Sequence, residues 1–252
     1  MRYIKFIEDG ILKDAWQVED ALYECKGHKF DNKIGKKLTT KIEDIDLKCP
    51  CTPSKVFAVA LNYKGLIDRN NFTEPITFIK PKSAVIGPNE NIINPFKDRK
   101  AWGEPELAVV LKKQLSSPES VEEVKECIWG YTIANDVTVQ NVDNRDHHLV
   151  RSKGVKTFCP LGPWIDIKFE PTTQKIYGGQ LQKERIGTLD QMFWNVEEAL
   201  LNVSQWVDFE PGDVVIMGTP PFIDGEVYLQ NGKVYTAVIE GLGELKNTFR
   251  NG

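Results

Sequence analysis

Trp102-Gly103-Glu104-Pro105-Glu106-Leu107-Ala108-Val109-Val110 is the stretch on which the reading of this chain turns. Its second half, continued by Leu111, is an apolar run of strand length rich in Val and Leu. Residues two apart on a strand face the same side, so Glu104 and Glu106 present two carboxylates together. Like charges side by side repel unless a proton or a cation is shared between them. A hard divalent ion such as Mg²⁺, which takes oxygen ligands, is one resolution. A solvated strand face is the other. Asp136, in Ala134-Asn135-Asp136-Val137-Thr138, comes late in a second apolar stretch. It is either a third oxygen ligand or a turn residue at a strand end.

Outward from this centre the chain is rich in strands. VFAVALNY, ITFIKP and SAVIGP precede it, YTIANDVTVQ and VVIMG follow it, and the last 25 residues read as short strands with Gly turns. Two helices are inserted. SPESVEEVKECIWGY is expected to be capped by Ser117 with Pro118 in the first helical position, and Val121, Val124, Cys127 and Ile128 fall on one face. NVEEALLNVSQWV places Val196, Leu200, Val203 and Val207 in step. Before residue 50, RYIKFIED reads as a strand closed by a DG turn, and WQVEDALYECKG as a mixed segment opening with a short helix. Two prolines in Lys48–Pro53 mark a linker. These features predict an α+β, β-rich architecture, with a small N-terminal domain over 1–52 and a catalytic domain over 53–252.

Composition narrows the function classes. The 252 residues are 41% hydrophobic and 27% charged, with a net charge of −4. That is the balance of a globular domain and lacks the basic stripe of a nucleic-acid partner. No apolar run approaches the roughly 18 residues of a membrane span, and the first residues do not read as a secretory signal, so a cytoplasmic protein is expected. Five cysteines without a C-x-x-C pair favour reduced thiols. Three histidines nearly exclude sites built from several imidazoles.

Two further stretches can carry chemistry. Arg151-Ser152-Lys153-Gly154, followed by a Pro/Gly-rich turn, can fix an ammonium on a rigid loop or be an exposed basic turn. Met217-Gly218-Thr219-Pro220-Pro221 ends an apolar strand, where a hydroxyl and backbone N–H groups can hold a carboxylate. Taken in order, FAVALNY, FIKPKSAVIGP, GEPELAVV, GYTIANDVT, SKGVKTFCPLGPW, QMFWNVEEAL, PGDVVIMGTP and IEGLGELKN resemble the fumarylacetoacetate hydrolase family from Val56 to the C-terminus. The resemblance implies a β-rich catalytic domain, a homodimer, and a divalent ion, Mg²⁺ or else Mn²⁺, on Glu104, Glu106 and Asp136. It implies Lys153 as the active-site lysine, Thr219 as the residue that holds a substrate carboxylate, and Gln182, more loosely, as a second substrate contact. The implied substrate is a small 2-oxo acid.

Two departures from the family pattern bear on the reaction. Hydrolytic members carry a His/Glu pair that activates water, and here Leu66 and Arg69 stand at those positions. Neither is a general base at neutral pH. An Arg-Asp pair common after the metal Asp reads Gln140-Asn141, with Arg145 as a possible replacement. Enolate chemistry without an activated water leaves isomerisation or decarboxylation, and the expectation is a 2-hydroxyhepta-2,4-diene-1,7-dioate isomerase or a related decarboxylase. The alternatives are an acylpyruvate or fumarylacetoacetate hydrolase with His147 or His148 as base, an oxaloacetate decarboxylase, and a 2-keto-3-deoxy sugar acid dehydratase. A non-catalytic binding protein of the same fold is the contrasting class. Residues 64–75 and 140–152 are expected to shape the distal pocket.

Overall fold

The computed structural model describes residues 1–66 and 73–252. Among these, a 12-stranded sheet forms the backbone of the molecule. Its central strands run in the order Arg2–Glu8, Cys159–Asp166, Ile128–Asn135, Pro105–Leu111, Val214–Ile216, Lys55–Ala60 and Ile76–Pro81. A five-stranded sheet built on Lys175–Gly179, Val234–Ile239 and Gly243–Asn251 packs against it. A two-stranded ribbon joins Ala101–Trp102 to Thr138–Val139. The β-rich architecture agrees with the sequence reading. No helix among the described residues is long and apolar enough to cross a membrane.

The strand Pro105–Leu111 is buried at every residue. Its side chains alternate between two cores, as the period of two requires. Leu107, Val109 and Leu111 pack with Tyr235, Ile239 and Leu200. Ala108 and Val110 join Tyr3, Trp16 and Trp129 on the other face. Each fully buried Leu or Val contributes about 1.5–3 kcal/mol relative to exposure, so this strand is among the most firmly seated segments.

Among the described residues three α-helices, α1 (Val121–Cys127), α2 (Val150–Lys153) and α3 (Val196–Val203), sit around the sheets. α3 follows the sequence reading closely. Asn195 Oδ1 accepts from Glu198 N at 2.8 Å while Glu198 Oε2 accepts from Asn195 N at 3.2 Å, a reciprocal cap. α1 starts later than expected. Ser120, not Ser117, supplies the cap, accepting from Glu123 N at 3.2 Å. Ser117 has φ 43°, outside the extended backbone an N-cap needs. Ile128 already begins the next strand rather than sharing the helix face. The short helix expected near Trp16 is absent. Ile11–Val18 and Ala21–Cys25 form a hairpin with Trp16 opposite Tyr23, turning at Glu19 with φ 53°. The cross-strand aromatic pair and the burial of Trp16 outweigh a weak local helical pattern.

Candidate metal and active site

The antiparallel pairing of Pro105–Leu111 with Ile128–Asn135 puts Pro105 opposite Asn135. One step beyond, Asp136 N donates to Glu104 O at 2.9 Å, and Glu104 N donates to Asn135 Oδ1 at 2.9 Å. Backbone geometry thus clamps the two chain segments that carry the acids. Glu104, Glu106 and Asp136 each offer a carboxylate oxygen, all within 4.8 Å of one another. Glu106 and Asp136 are buried, at 3% and 1% exposure.

Three cations face this acidic set. Lys153, the last residue of α2, places its Nζ 2.7 Å from Glu104 Oε2 and 2.5 Å from Asp136 Oδ2. Lys80, wholly buried on the strand Ile76–Pro81, donates to Asp136 Oδ1 and, at 3.2 Å, to Val137 O. Arg185 lies 3.7 Å from Glu104 Oε1. It is fixed by bonds to Gly103 O at 3.2 Å and Pro220 O at 2.7 Å, and it stacks over Phe222 at 3.6 Å. Trp102 Nε1 donates to Glu104 Oε1 at 2.7 Å.

The carboxylates are not equivalent. Burial pushes the Glu104 carboxyl up, but Lys153 and Arg185 outweigh it and hold it down at about 2. Glu106 goes the other way: burial, Asp136 and Glu104 all raise it well above the usual carboxylate range. Burial works against the charge of Lys153, yet Asp136, Glu104 and Glu106 keep its ammonium above the ordinary lysine range. Lys153 therefore holds its proton in the metal-free protein.

The third wall is the turn after Val214–Ile216. Gly218 N donates to Glu106 Oε2 at 2.7 Å. Gly218 has φ +84°, and a Cβ there would lie 2.9 Å from Asn62 Cβ, so glycine is required. Asn62 holds the turn by donating to Met217 O at 3.0 Å and Trp194 O at 3.0 Å. Thr219 follows, and its buried Oγ1 has no partner among the described residues. Thr219 also lines the cavity beside the acids.

Residues 55–250 match the model of the fumarylacetoacetate hydrolase C-terminal family. An uncharacterised protein of Methanocaldococcus jannaschii is 34% identical over 241 residues, 91% of this chain and 98% of that one. The chain belongs to the fumarylacetoacetate hydrolase family. A mitochondrial oxaloacetate tautomerase of Bos taurus is 33% identical over 220 residues, 81% of this chain and 69% of that one. The structure of a 5-carboxymethyl-2-hydroxymuconate delta-isomerase from Mycobacterium smegmatis superposes over the whole of both chains with a TM-score of 0.89 at 28% identity.

In this family member the acids line a cavity of about 360 Å³ with one apolar wall of Leu66, Ile76, Phe78 and Val139, while Thr138, Asn141 and Ser152 add polar groups to its lining. The sequence reading named four side chains of this cavity's polar end besides Asp136: Glu104, Glu106, Lys153 and Thr219. It missed Lys80 and Arg185. Alternation places Lys80 on the strand face of Ile76 and Phe78, but a lysine there gives no sign of its acidic partner, and Arg185 is hidden in the charged run Lys183-Glu184-Arg185. Gln182, expected as a second substrate contact, is exposed and does not line the cavity. Leu66 lines the cavity, whereas Arg69 lies outside the described residues. Gln140, Arg145, His147 and His148 are exposed.

The donor set suits a hard divalent cation. Three carboxylates converge, one of them (Glu106) crowded by its neighbours and with its Oε1 unbonded among the described residues. Oxygen-only donors are the chemistry Mg²⁺ and Mn²⁺ prefer.

Proposed function

We propose that this protein is a Mg²⁺-dependent enzyme, with Mn²⁺ as substitute, that moves a proton on a small 2-oxo or 2-hydroxy-diene acid without hydrolysing it. The observation that supports this best is the pairing of a three-carboxylate cluster with an apolar wall at Leu66. Glu104, Glu106 and Asp136 would hold the ion. A bound divalent ion supplies a charge against which an enolate oxygen is stabilised.

The chain's own residues do the rest. Thr219 Oγ1 and the Gly218–Thr219 turn orient the substrate carboxylate. Lys153 sets a fixed positive charge beside the reacting oxygen and limits how much negative charge the acids impose on it. Lys80 and Arg185 anchor Asp136 and Glu104 from behind, so the acids keep their positions when the ligand changes. Leu66, Ile76 and Phe78 exclude water from the carbon chain. Hydrolysis of a C–C bond requires an activated water, and no histidine lines the cavity among the described residues. Isomerisation of a 2-hydroxy-diene acid moves a proton between its 2-hydroxyl oxygen and a carbon of the chain, so no water is consumed.

Keto–enol tautomerisation of a 2-oxo diacid is the second reading. The likeness to the bovine oxaloacetate tautomerase supports it, and it needs the same proton transfer. An assay with Mg²⁺ on 2-hydroxy-diene diacids, enol-oxaloacetate and acylpyruvates, followed by ultraviolet absorbance and CO₂ release, tests the proposal. Isomerisation or tautomerisation without cleavage is expected. Rapid acylpyruvate cleavage would refute the reading built on Leu66.

A further inference from the structure

Four of the five cysteines pack in or against one apolar cluster with Tyr3, Trp16 and Trp129, and all five are free thiols. Cys49 and Cys51 differ from the others in being paired. Only Pro50 separates them, and both line a hollow of about 380 Å³ that shares no lining residue with the metal cavity. We propose that Cys49 and Cys51 form an oxidation site for hydroperoxides, at which the two thiols close reversibly to a disulfide.

The segment that carries them is held in place. Pro50 restricts the backbone between the two thiols. A Cβ on Gly87 would lie 2.4 Å from Cys49 N, so residues 85–87 press directly on the Cys49 backbone. Cys51 is 3% exposed and packs with the cluster of Val56, Ala84 and Cys159, whereas Cys49 is half-buried. As a thiol, Cys49 Sγ donates to Cys51 O at 3.2 Å. As a thiolate it accepts from the Cys51 thiol, which holds it below the ordinary cysteine range against the effect of burial. The Cys51 backbone N–H and the charge of Lys5 act in the same direction, and Glu90 opposes them. Cys51 is raised in turn, by its hydrogen bond to Cys49 and by burial. Burial also raises Cys25 and Cys127 and pushes Cys159 up to about 12. The hollow therefore presents one thiol that ionises readily, with a protonated second thiol against it.

The peroxide is the oxidant. The Cys49 thiolate attacks one peroxide oxygen and the O–O bond breaks. The other oxygen leaves and takes up the proton that Cys49 had released, and Cys49 becomes a sulfenic acid. With the thiolate consumed, the neighbour that holds Cys51 protonated is gone. The Cys51 sulfur then attacks the sulfenic sulfur. An S–S bond forms, the S–O bond breaks, and the Cys51 proton leaves with that oxygen as water. The two thiols lose two electrons in all, and the peroxide is reduced to water and an alcohol, or to two waters where it is hydrogen peroxide. A dithiol reductant reverses the disulfide by exchange.

The test treats the full chain with hydrogen peroxide and follows each thiol by the mass of its tryptic peptide, with and without dithiothreitol. Cleavage after Lys48 and Lys55 leaves both cysteines on one peptide, 49–55. In the wild type that peptide is expected to lose two hydrogens about tenfold faster than half-buried Cys25 is oxidised, and to regain them with dithiothreitol. In Cys51→Ser, Cys49 should stop at the sulfenic acid and be captured by dimedone. In Cys49→Ser, Cys51 should resist the same dose. Oxidation of Cys25 ahead of peptide 49–55 in the wild type would overturn the proposal. So would conversion of wild-type Cys49 to a sulfinic acid with Cys51 left as a thiol, because the second thiol would then not resolve the first. Ready dimedone capture at Cys51 in Cys49→Ser would overturn it as well, since Cys51 would then react without its partner.

Discussion

Asp213, immediately before the strand Val214–Ile216, and Glu106, on the neighbouring strand Pro105–Leu111, are buried carboxylates in opposite surroundings. Asp213 accepts five hydrogen bonds: from Ser54 N, Ser54 Oγ, Lys55 N, Lys55 Nζ and Glu210 N, at 2.6–3.2 Å. Burial raises its pKa, but these donors outweigh it and leave it lowered. Among the described residues Glu106 accepts one bond, from Gly218 N, and it faces two other carboxylates. The first arrangement is complete and stabilises the fold. The second is crowded and under-bonded, which a fold tolerates where a ligand completes it.

Mutation should separate the two cleanly. Glu106→Gln is expected to weaken Mg²⁺ and Mn²⁺ binding by more than about a hundredfold, since even outer partners of metal ligands are worth about 10–100-fold. It should abolish turnover and leave the metal-free melting temperature unchanged or raised, because like-charge crowding is relieved. Calorimetric titration and a thermal scan check both halves; a clear fall in metal-free stability would erase the contrast. Asp213→Ala should do the reverse. It strands Lys55 and three backbone donors, at a cost of about 3 kcal/mol in urea unfolding, while metal affinity stays within about twofold.

The pH dependence sharpens the contrast. The stability Asp213 contributes is present above the ordinary aspartate value of 3.8 and is lost as pH falls through its lower folded value. The gap between wild type and Asp213→Asn should therefore be constant from about pH 8 to pH 5 and narrow below about pH 4. Glu106 has the opposite sign. Its raised value means that the metal-free fold keeps a proton the unfolded chain has released, so stability declines as pH rises above the ordinary 4.5. Denaturant midpoints of wild type and Glu106→Gln across pH should differ in this slope; parallel curves would remove Glu106 from the argument. The smallest effect is expected from Ser54→Ala, which deletes one of the donors to Asp213 and should cost about 1 kcal/mol.

The sequence made part of this legible. Strand periodicity, a local property, made Glu104 and Glu106 a pair, whereas Asp136 joined them only through the resemblance, because the register of Pro105–Leu111 with Ile128–Asn135 that brings it there is not local. Lys153 was suggested by its Gly-rich context and by resemblance, since a four-residue helix such as α2 leaves no periodic signal. Lys80 and Arg185 were not legible. Their placement depends on pairings 56 and 82 residues apart in the chain. The hairpin at Trp16 was missed for a related reason: its stability comes from packing Trp16 against Tyr3 and Trp129, which the local pattern does not encode.

The strand Pro105–Leu111 sends alternate side chains into different cores. A single-residue insertion or deletion there would exchange Leu107 and Val109 with Ala108 and Val110 and turn Glu106 away from its partners in the same step. A loop such as 140–149, which lies outside the ladders of the main sheet, tolerates a change of length that this strand does not. The packing of two cores and the convergence of three carboxylates are thus held by one constraint.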